Sequence, residues 1–322
     1  MQLLLVGDLD AAERAEWAQA LGQALPGHRL WLDRADAPDP AAIEVAIVAN
    51  PLPGSLAGLT GLRLIQSLWA GVDRLLADPS LPAGVPLARM VDPAMAAAMA
   101  ETALWAVLSL HRGFYRYARQ QAQGLWLPQP QARADAWPVL VLGHGQMGRA
   151  VAGRLARQGY PVQAWRRRSG SAGPAGLVVA AEPGVRLLSG AAALAAARGQ
   201  ARVVVNLLPL TAETRGLIDA AWLAAMAPGA GLVNLARGAH LVEADLLAAL
   251  ASGQIGHAVL DVFHAEPLPA DHPFWQHPQV TLLPHAAALT DARSAAAVVA
   301  HNIEALAGGR PLAHRVAREA GY

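Results

Sequence analysis

The chain has 322 residues, a length that suits two domains better than one. A hydrophobic share of 54 % and a charged share of 15 % allow large cores and exclude a disordered chain. A net charge of +1 gives no support to a nucleic-acid partner, and the lack of cysteine and lysine excludes disulfides, thiolate metal sites, thiol nucleophiles and Schiff bases.

The opening run "MQLLLVGDLD" has no basic flank and turns acidic at Asp8, so it predicts a first β-strand rather than a signal peptide. No apolar run approaches the ~20 residues of a membrane span, so a soluble, cytoplasmic protein with no membrane partner is expected. "QLLLVGD", "EVAIVAN" and "LRLIQSL" read as strands buried on both faces, with "AAERAEWAQALGQAL" as a helix between the first two. From Pro93 to Gln123 only Gly113 interrupts, which predicts one long helix or two joined ones. "GLWLPQPQARADAWP" follows as an exposed arm.

At Pro138 a second strand–helix series begins. Its strands are "PVLVLG", "YPVQAW", "ARVVVNLL", "GLVNLA", "HAVLDVF" and "VTLLP", and a last helix runs from about Thr290 to Ala307. Two blocks of alternation predict an α/β protein of two doubly wound parallel-sheet domains with a cleft between them. The expected boundaries are 1–92 with 290–322 for one domain, and 93–289 for the other.

The stretch "VLVLGHGQMGRAVAGRLA" carries Gly143, Gly145 and Gly148 in G-x-G-x-x-G spacing, with Gln146 and Met147 in the same loop. It directly follows a strand and opens a helix, the context in which this spacing binds a dinucleotide. The first glycine permits the turn, the second lets a pyrophosphate approach the backbone, and the third lets helix pack on strand. The next strand ends at Trp165 and is followed by Arg166, Arg167 and Arg168. An acid at that place favours NAD, and an arginine accommodates the 2′-phosphate of NADP. Arg166 stands where the acid would, Arg167 can reach the same phosphate, and Arg168 reads as solvated. NADP is the preferred cofactor on this reading, with NAD possible. The alternative is a solvated basic loop, and a chain without lysine makes an arginine cluster less telling.

Three later segments each follow a predicted strand. "LVNLARGAHL" carries Arg237, "HAVLDVFHAEPLP" carries Asp261 and Glu266, and "VTLLPHAAALT" carries His285. Arginine, acid and histidine at one sheet edge suit reduction of a 2-oxo acid. The arginine grips the carboxylate and polarises the carbonyl, and the histidine gives or takes the alcohol proton. The acid fixes the imidazole tautomer and raises its pKa. His111, His240, His257, His264, His272, His277 and His301 read equally well as surface residues, and no metal site is expected.

The pieces "SLWAGVD", "VLGHGQMGRAV", "AWRRR", "LLPLTAETRGLID", "LVNLARGAHLVEADLLAAL", "LDVFHAEPLPADHPFW" and "LLPHAAALT" run in order from about residue 66 to 307. Together they resemble the D-isomer-specific 2-hydroxy acid dehydrogenases, and among them the glyoxylate/hydroxypyruvate reductase A branch. The resemblance implies a flavodoxin-like substrate domain and a Rossmann cofactor domain. It gives Arg237 the substrate carboxylate and carbonyl, makes His285 the proton donor, and pairs Glu266 with it. Asp261 would meet the nicotinamide carboxamide. Leu208, Pro209, Thr211 and Ala236, with the glycine loop, Trp165, Arg166 and Arg167, would line the cofactor. Ala70 and Gly71 would offer N–H groups to the substrate carboxylate. Trp69 is bulkier than expected there, which implies an altered pocket. A homodimer through the helix and arm at about 93–137 is implied, and a small 2-oxo or 2-hydroxy acid is the substrate. The rivals are a non-catalytic dinucleotide sensor and a dehydrogenase for a larger or phosphorylated acid.

Overall fold

The computed structural model describes residues 1–167 and 182–321, so Arg168 lies outside the described residues. The chain forms two compact units, Met1–Met95 with Thr290–Tyr322, and Ala96–Leu289.

The first unit is built on a five-stranded parallel sheet. Its strands are β1 (Gln2–Gly7), β2 (Arg29–Trp31), β3 (Val45–Ala49), β4 (Leu64–Ser67) and β5 (Leu87–Ala88), in the order β2-β1-β3-β4-β5. The strands "VAIVA" and "LIQS" are buried at every position, as a parallel sheet covered on both faces requires. The helix Ala11–Ala24 starts at a capping box, in which Glu13 N–H donates to Asp10 and Asp10 N–H donates back to Glu13, both at 2.9 Å. It buries Trp17 and Leu21. The helix Ala292–Ala307 is capped by Asp291 and buries Ala295, Ala296, Val299 and Ile303. From that helix the fully buried Asn302 donates to Gln66 Oε1 at 2.7 Å and to the Ala313 carbonyl at 3.1 Å, and accepts from Ala313 N–H at 2.8 Å. One amide thus fastens the C-terminal segment to β4. β2 and β5, three and two residues long, escape sequence reading because neither is long enough to show alternation.

The second unit holds a seven-stranded sheet, again all parallel. Its strands are β6 (Val139–Leu142), β7 (Val162–Arg166), β8 (Val185–Ser189), β9 (Val203–Asn206), β10 (Ala230–Asn234), β11 (Ile255–Leu260) and β12 (Val280–Leu282). The order β8-β7-β6-β9-β10-β11-β12 reverses between β6 and β9, the switch point at which doubly wound sheets bind dinucleotides. β8 is the strand that sequence reading misses.

The segment after Pro93 is two helices, Pro93–Arg112 and Phe114–Ala122, broken where Gly113 takes φ 70°, a left-handed turn that glycine adopts without penalty. The first of them corrects the expectation that no segment matches a membrane span. Among the described residues this one helix is long and apolar enough by length and composition. Its Ala100, Ala103, Ala106, Val107 and Leu110 belong to the core on one face of the second sheet, which accounts for its apolar face without a bilayer. The arm follows without regular structure to a short 3₁₀ turn at Ala134–Ala136. His111 fastens it, with its ring nitrogens 2.9 Å from the Tyr160 hydroxyl and the Ala132 carbonyl. Leu125, Trp126 and Leu127 are exposed, Trp126 at 96 %.

Asn302→Leu removes three hydrogen bonds and leaves the buried Gln66 amide and the half-buried Ala313 backbone without these partners. We expect unfolding to become easier by about 1–3 kcal/mol, read as an earlier urea transition. An unchanged transition would show that the C-terminal segment is anchored by other contacts.

Candidate active site

Every candidate in the second unit lies at or just beyond the carboxyl end of a strand. The glycine loop leaves β6, Arg166 ends β7, and Leu207–Thr211 leave β9. Ala236 and Arg237 follow β10, Asp261 to Glu266 follow β11, and His285 follows β12. Parallel strands put all of these on one edge of the sheet.

In the glycine loop, Gly143 sits at φ 97° with its N–H on the Trp165 carbonyl at 2.9 Å. A Cβ at Gly148 would lie 2.0 Å from the Gly143 carbonyl oxygen, so the helix Gln146–Arg157 can press on the turn only through a glycine. At Gly145 a Cβ would meet nothing within 4 Å. No side chain caps that helix. The loop thus has two closed positions and one open one, above unclaimed helix N–H groups. This chemistry fits the diphosphate of a dinucleotide.

The Trp165 indole is buried in the core and donates to the Gly190 carbonyl at 3.0 Å, while its backbone carbonyl accepts from Gly143 N–H. Arg166 is half-buried at the end of β7, and the exposed Arg167 is ion-paired with Glu213 from the loop after β9.

The chemical cluster is compact. His285 Nδ1 lies 2.7 Å from Glu266 Oε2, while Glu266 Oε1 accepts from Phe263 N–H at 2.9 Å. The hydrogen bond to Glu266 raises the His285 pKa above the ordinary imidazole range, against burial and the nearby Arg237, which pull it down. Burial pushes Glu266 up, but the hydrogen bonds from His285 and Phe263 outweigh it and hold the carboxyl below the usual range. Arg237 lies close enough to act on both groups. Its NH1 donates to the Ala236 carbonyl at 2.7 Å. Gly238 brings its loop in, because a Cβ there would lie 2.0 Å from the Phe263 carbonyl carbon. Any side chain at 238 would push Arg237 away from the segment that carries Glu266.

Asp261 is almost wholly buried. Its Oδ1 accepts from Ala286 N–H at 2.7 Å, its Oδ2 from Ala287 N–H at 3.1 Å, and its backbone carbonyl from His285 N–H at 2.9 Å. These bonds clamp the turn that holds His285 at φ 54°. Burial raises the Asp261 carboxyl and the two N–H groups partly offset it.

Two features were not foreseen. Asn206 and Asn234, at the ends of β9 and β10, are fully buried and bonded to each other, with Asn206 Nδ2 3.0 Å from Asn234 Oδ1. The second is the burial of three histidines that read as surface residues. His111 fastens the arm. His257 packs against Tyr115 with its Nε2 2.8 Å from Thr281 Oγ1, and burial drives its pKa to about 3. His240 joins the asparagine pair. The alternation of residues marks which strands are buried, but it does not tell which polar residues at their ends find one another.

Trp69, Ala70 and Gly71 belong to the first unit, in the loop after β4. Ser67 Oγ accepts from Trp69 N–H at 3.0 Å, and the Trp69 carbonyl accepts from Met90 N–H at 3.1 Å.

A model of the D-isomer specific 2-hydroxyacid dehydrogenase NAD binding domain matches residues 104–287. The glyoxylate/hydroxypyruvate reductase A of Serratia proteamaculans is 41 % identical over 314 residues, covering 95 % of this chain and 96 % of its own. Among solved structures, a D-isomer specific 2-hydroxyacid dehydrogenase from Xanthobacter autotrophicus Py2 in complex with NADPH and MES is similar at TM-score 0.92. It is 37 % identical, covering 100 % of this chain and 99 % of its own. The NADPH-dependent glyoxylate/hydroxypyruvate reductase of Sinorhizobium meliloti in complex with NADP and sulfate is similar at TM-score 0.88 and 33 % identity, with 100 % and 99 % covered. With the sheet order, the glycine loop and the Arg237, Glu266 and His285 cluster, these likenesses make the chain a member of the D-isomer specific 2-hydroxyacid dehydrogenase family.

Proposed function

We propose that this protein is an NADPH-dependent reductase of small 2-oxo acids, converting glyoxylate to glycolate and hydroxypyruvate to D-glycerate. The observation that carries the proposal is the His285–Glu266 hydrogen bond of 2.7 Å with Arg237 close to both. The likeness to reductases so named supports the substrate class.

When bound, the nicotinamide supplies a hydride to the carbonyl carbon. The chain supplies the rest. The Arg237 guanidinium binds the substrate carboxylate and polarises the carbonyl oxygen. Because Glu266 occupies Nδ1 of His285, the proton for the forming alkoxide comes from Nε2. The carboxylate of Glu266 stabilises the imidazolium before transfer and fixes the ring afterwards. Asp261 keeps His285 in place through the clamped turn, and it would meet the nicotinamide carboxamide, as the resemblance implies. Gly145, Gln146, Met147 and the loop Leu208–Thr211 would receive the diphosphate and its neighbours. Arg166 and Arg167 would receive the 2′-phosphate, with Arg166 bearing most of it, since Arg167 already has Glu213.

The same reading makes the protein a homodimer. The exposed Leu125, Trp126 and Leu127 support it, since a monomer leaves that patch wet. The likeness to the reductases named above supports a cytoplasmic location.

Reduction needs protonated His285, and Glu266 raises its pKa. So kcat/KM for glyoxylate should be level at lower pH and fall as pH rises through a value above the ordinary imidazole range. Glu266→Gln should move that fall to lower pH, and a limb that stays in place would separate Glu266 from the proton donor.

His285→Asn should lower kcat by ~10²-fold or more while NADPH binding holds. Arg237→Lys keeps the charge but loses the two-pronged donor, so KM for glyoxylate should rise and kcat fall together. Near-normal turnover of either variant contradicts the assignment.

Wild-type protein should prefer NADPH to NADH by roughly 10–10³-fold in kcat/KM, from hydrogen bonds to a charged phosphate trimmed by solvent. Added salt should shrink the preference, and Arg166→Asp should reverse it. Equal use of the two cofactors by the wild type would return the arginines to a solvated loop.

A further inference from the structure

Beneath the candidate site lies a polar chain that the proposed chemistry does not use. It begins at the loop after β9, where Leu208 N–H donates to Asn206 Oδ1 at 3.2 Å. That bond fixes the orientation of the Asn206 amide and turns its NH2 group toward two acceptors, Asn234 Oδ1 and His240 Nδ1, each at 3.0 Å. His240 Nδ1 therefore accepts, and the imidazole carries its proton on Nε2, 3.2 Å from the Pro209 carbonyl. On the other side, Asn234 Oδ1 also accepts from Ala236 N–H at 3.3 Å, and Asn234 Nδ2 donates to the Arg237 carbonyl at 3.0 Å. All three side chains are fully buried.

The bonds join two segments of separate origin. One carries Leu208 and Pro209, on the expected path of the nucleotide. The other carries Ala236 and Arg237. We infer that His240 is a positioning residue which, through Asn206 and Asn234, locks the nucleotide-side loop to the backbone of Arg237, so that nucleotide binding sets the guanidinium for the 2-oxo acid. The inference rests on the function proposed above. A buried polar group that loses its partner is costly, so the two segments shift together or not at all. Binding at one then favours binding at the other, and the effect is reciprocal.

The test uses oxamate, an unreactive analogue of a 2-oxo acid. NADPH dissociation constants are measured with and without saturating oxamate, alongside glyoxylate turnover, for wild type, His240→Leu, His240→Gln and Asn234→Asp. Oxamate should tighten NADPH binding to the wild type. His240→Leu should keep affinity for NADPH alone within about threefold, lose most of the tightening, and drop kcat/KM by roughly 10–10²-fold, the scale of a small misplacement of a reacting group. His240→Gln restores an N–H toward Pro209 and should recover part of both. Asn234→Asp removes the donor to the Arg237 carbonyl and should lose the tightening too, which keeps the test open if the leucine variant misfolds. Folded variants that retain the wild-type tightening overturn the inference, whatever their turnover. A wild type that turns over glyoxylate but shows no tightening overturns it as well. A wild type that reduces no 2-oxo acid overturns the proposed function instead.

Discussion

The arrangement of the second unit follows from one constraint, that all seven strands run in the same direction. Parallel strands must be joined by crossovers, so every loop that leaves a carboxyl end emerges on the same edge. Residues far apart in sequence, from Gly143 to His285, are thereby delivered to one rim without any long-range recognition between them. The reversal of strand order between β6 and β9 opens that rim at the glycine loop.

Delivery to one edge does not yet make a site, and close approach does the rest. Gly238 lets the Arg237 loop touch Phe263, and Phe263 N–H holds Glu266, which holds His285. Asp261 fixes the same histidine from behind through two backbone N–H groups. The candidate groups are thus placed by short hydrogen bonds, several of them to backbone, and by one close backbone approach. Such placement suits groups that must not relax when charge moves. The exposure of His285, about half its side chain, leaves it open to substrate.

Most of this was legible in the sequence, for physical reasons that can be named. Long, fully buried strands such as "VAIVA" and "VLVL" announce themselves as apolar runs, and the glycine spacing is meaningful because it joins a strand to a helix. Arg237, Glu266 and His285 stood out as the residue types that 2-oxo acid reduction needs, each just past a strand. Short strands such as Leu87–Ala88 were invisible, since two residues carry no period. The direction of the Trp165 indole is not legible either, because a position at a strand end does not say which way the side chain turns. The Asn206, Asn234 and His240 network was hidden for a deeper reason. Nothing local distinguishes a buried histidine from a solvated one, and Asn234 and His240 stand 28 and 34 residues from Asn206, one at the end of β10 and one in a 3₁₀ turn.

The central claim is that this rim delivers a hydride and a proton to the carbonyl of a small 2-oxo acid. Glyoxylate incubated with the protein and NADPH deuterated at the transferring C4 position tests it directly, with the glycolate analysed by mass spectrometry. The account predicts one deuterium per glycolate, on the carbon that was the aldehyde, and none exchanged with water. Glycolate without deuterium, or no glycolate at all, would contradict it.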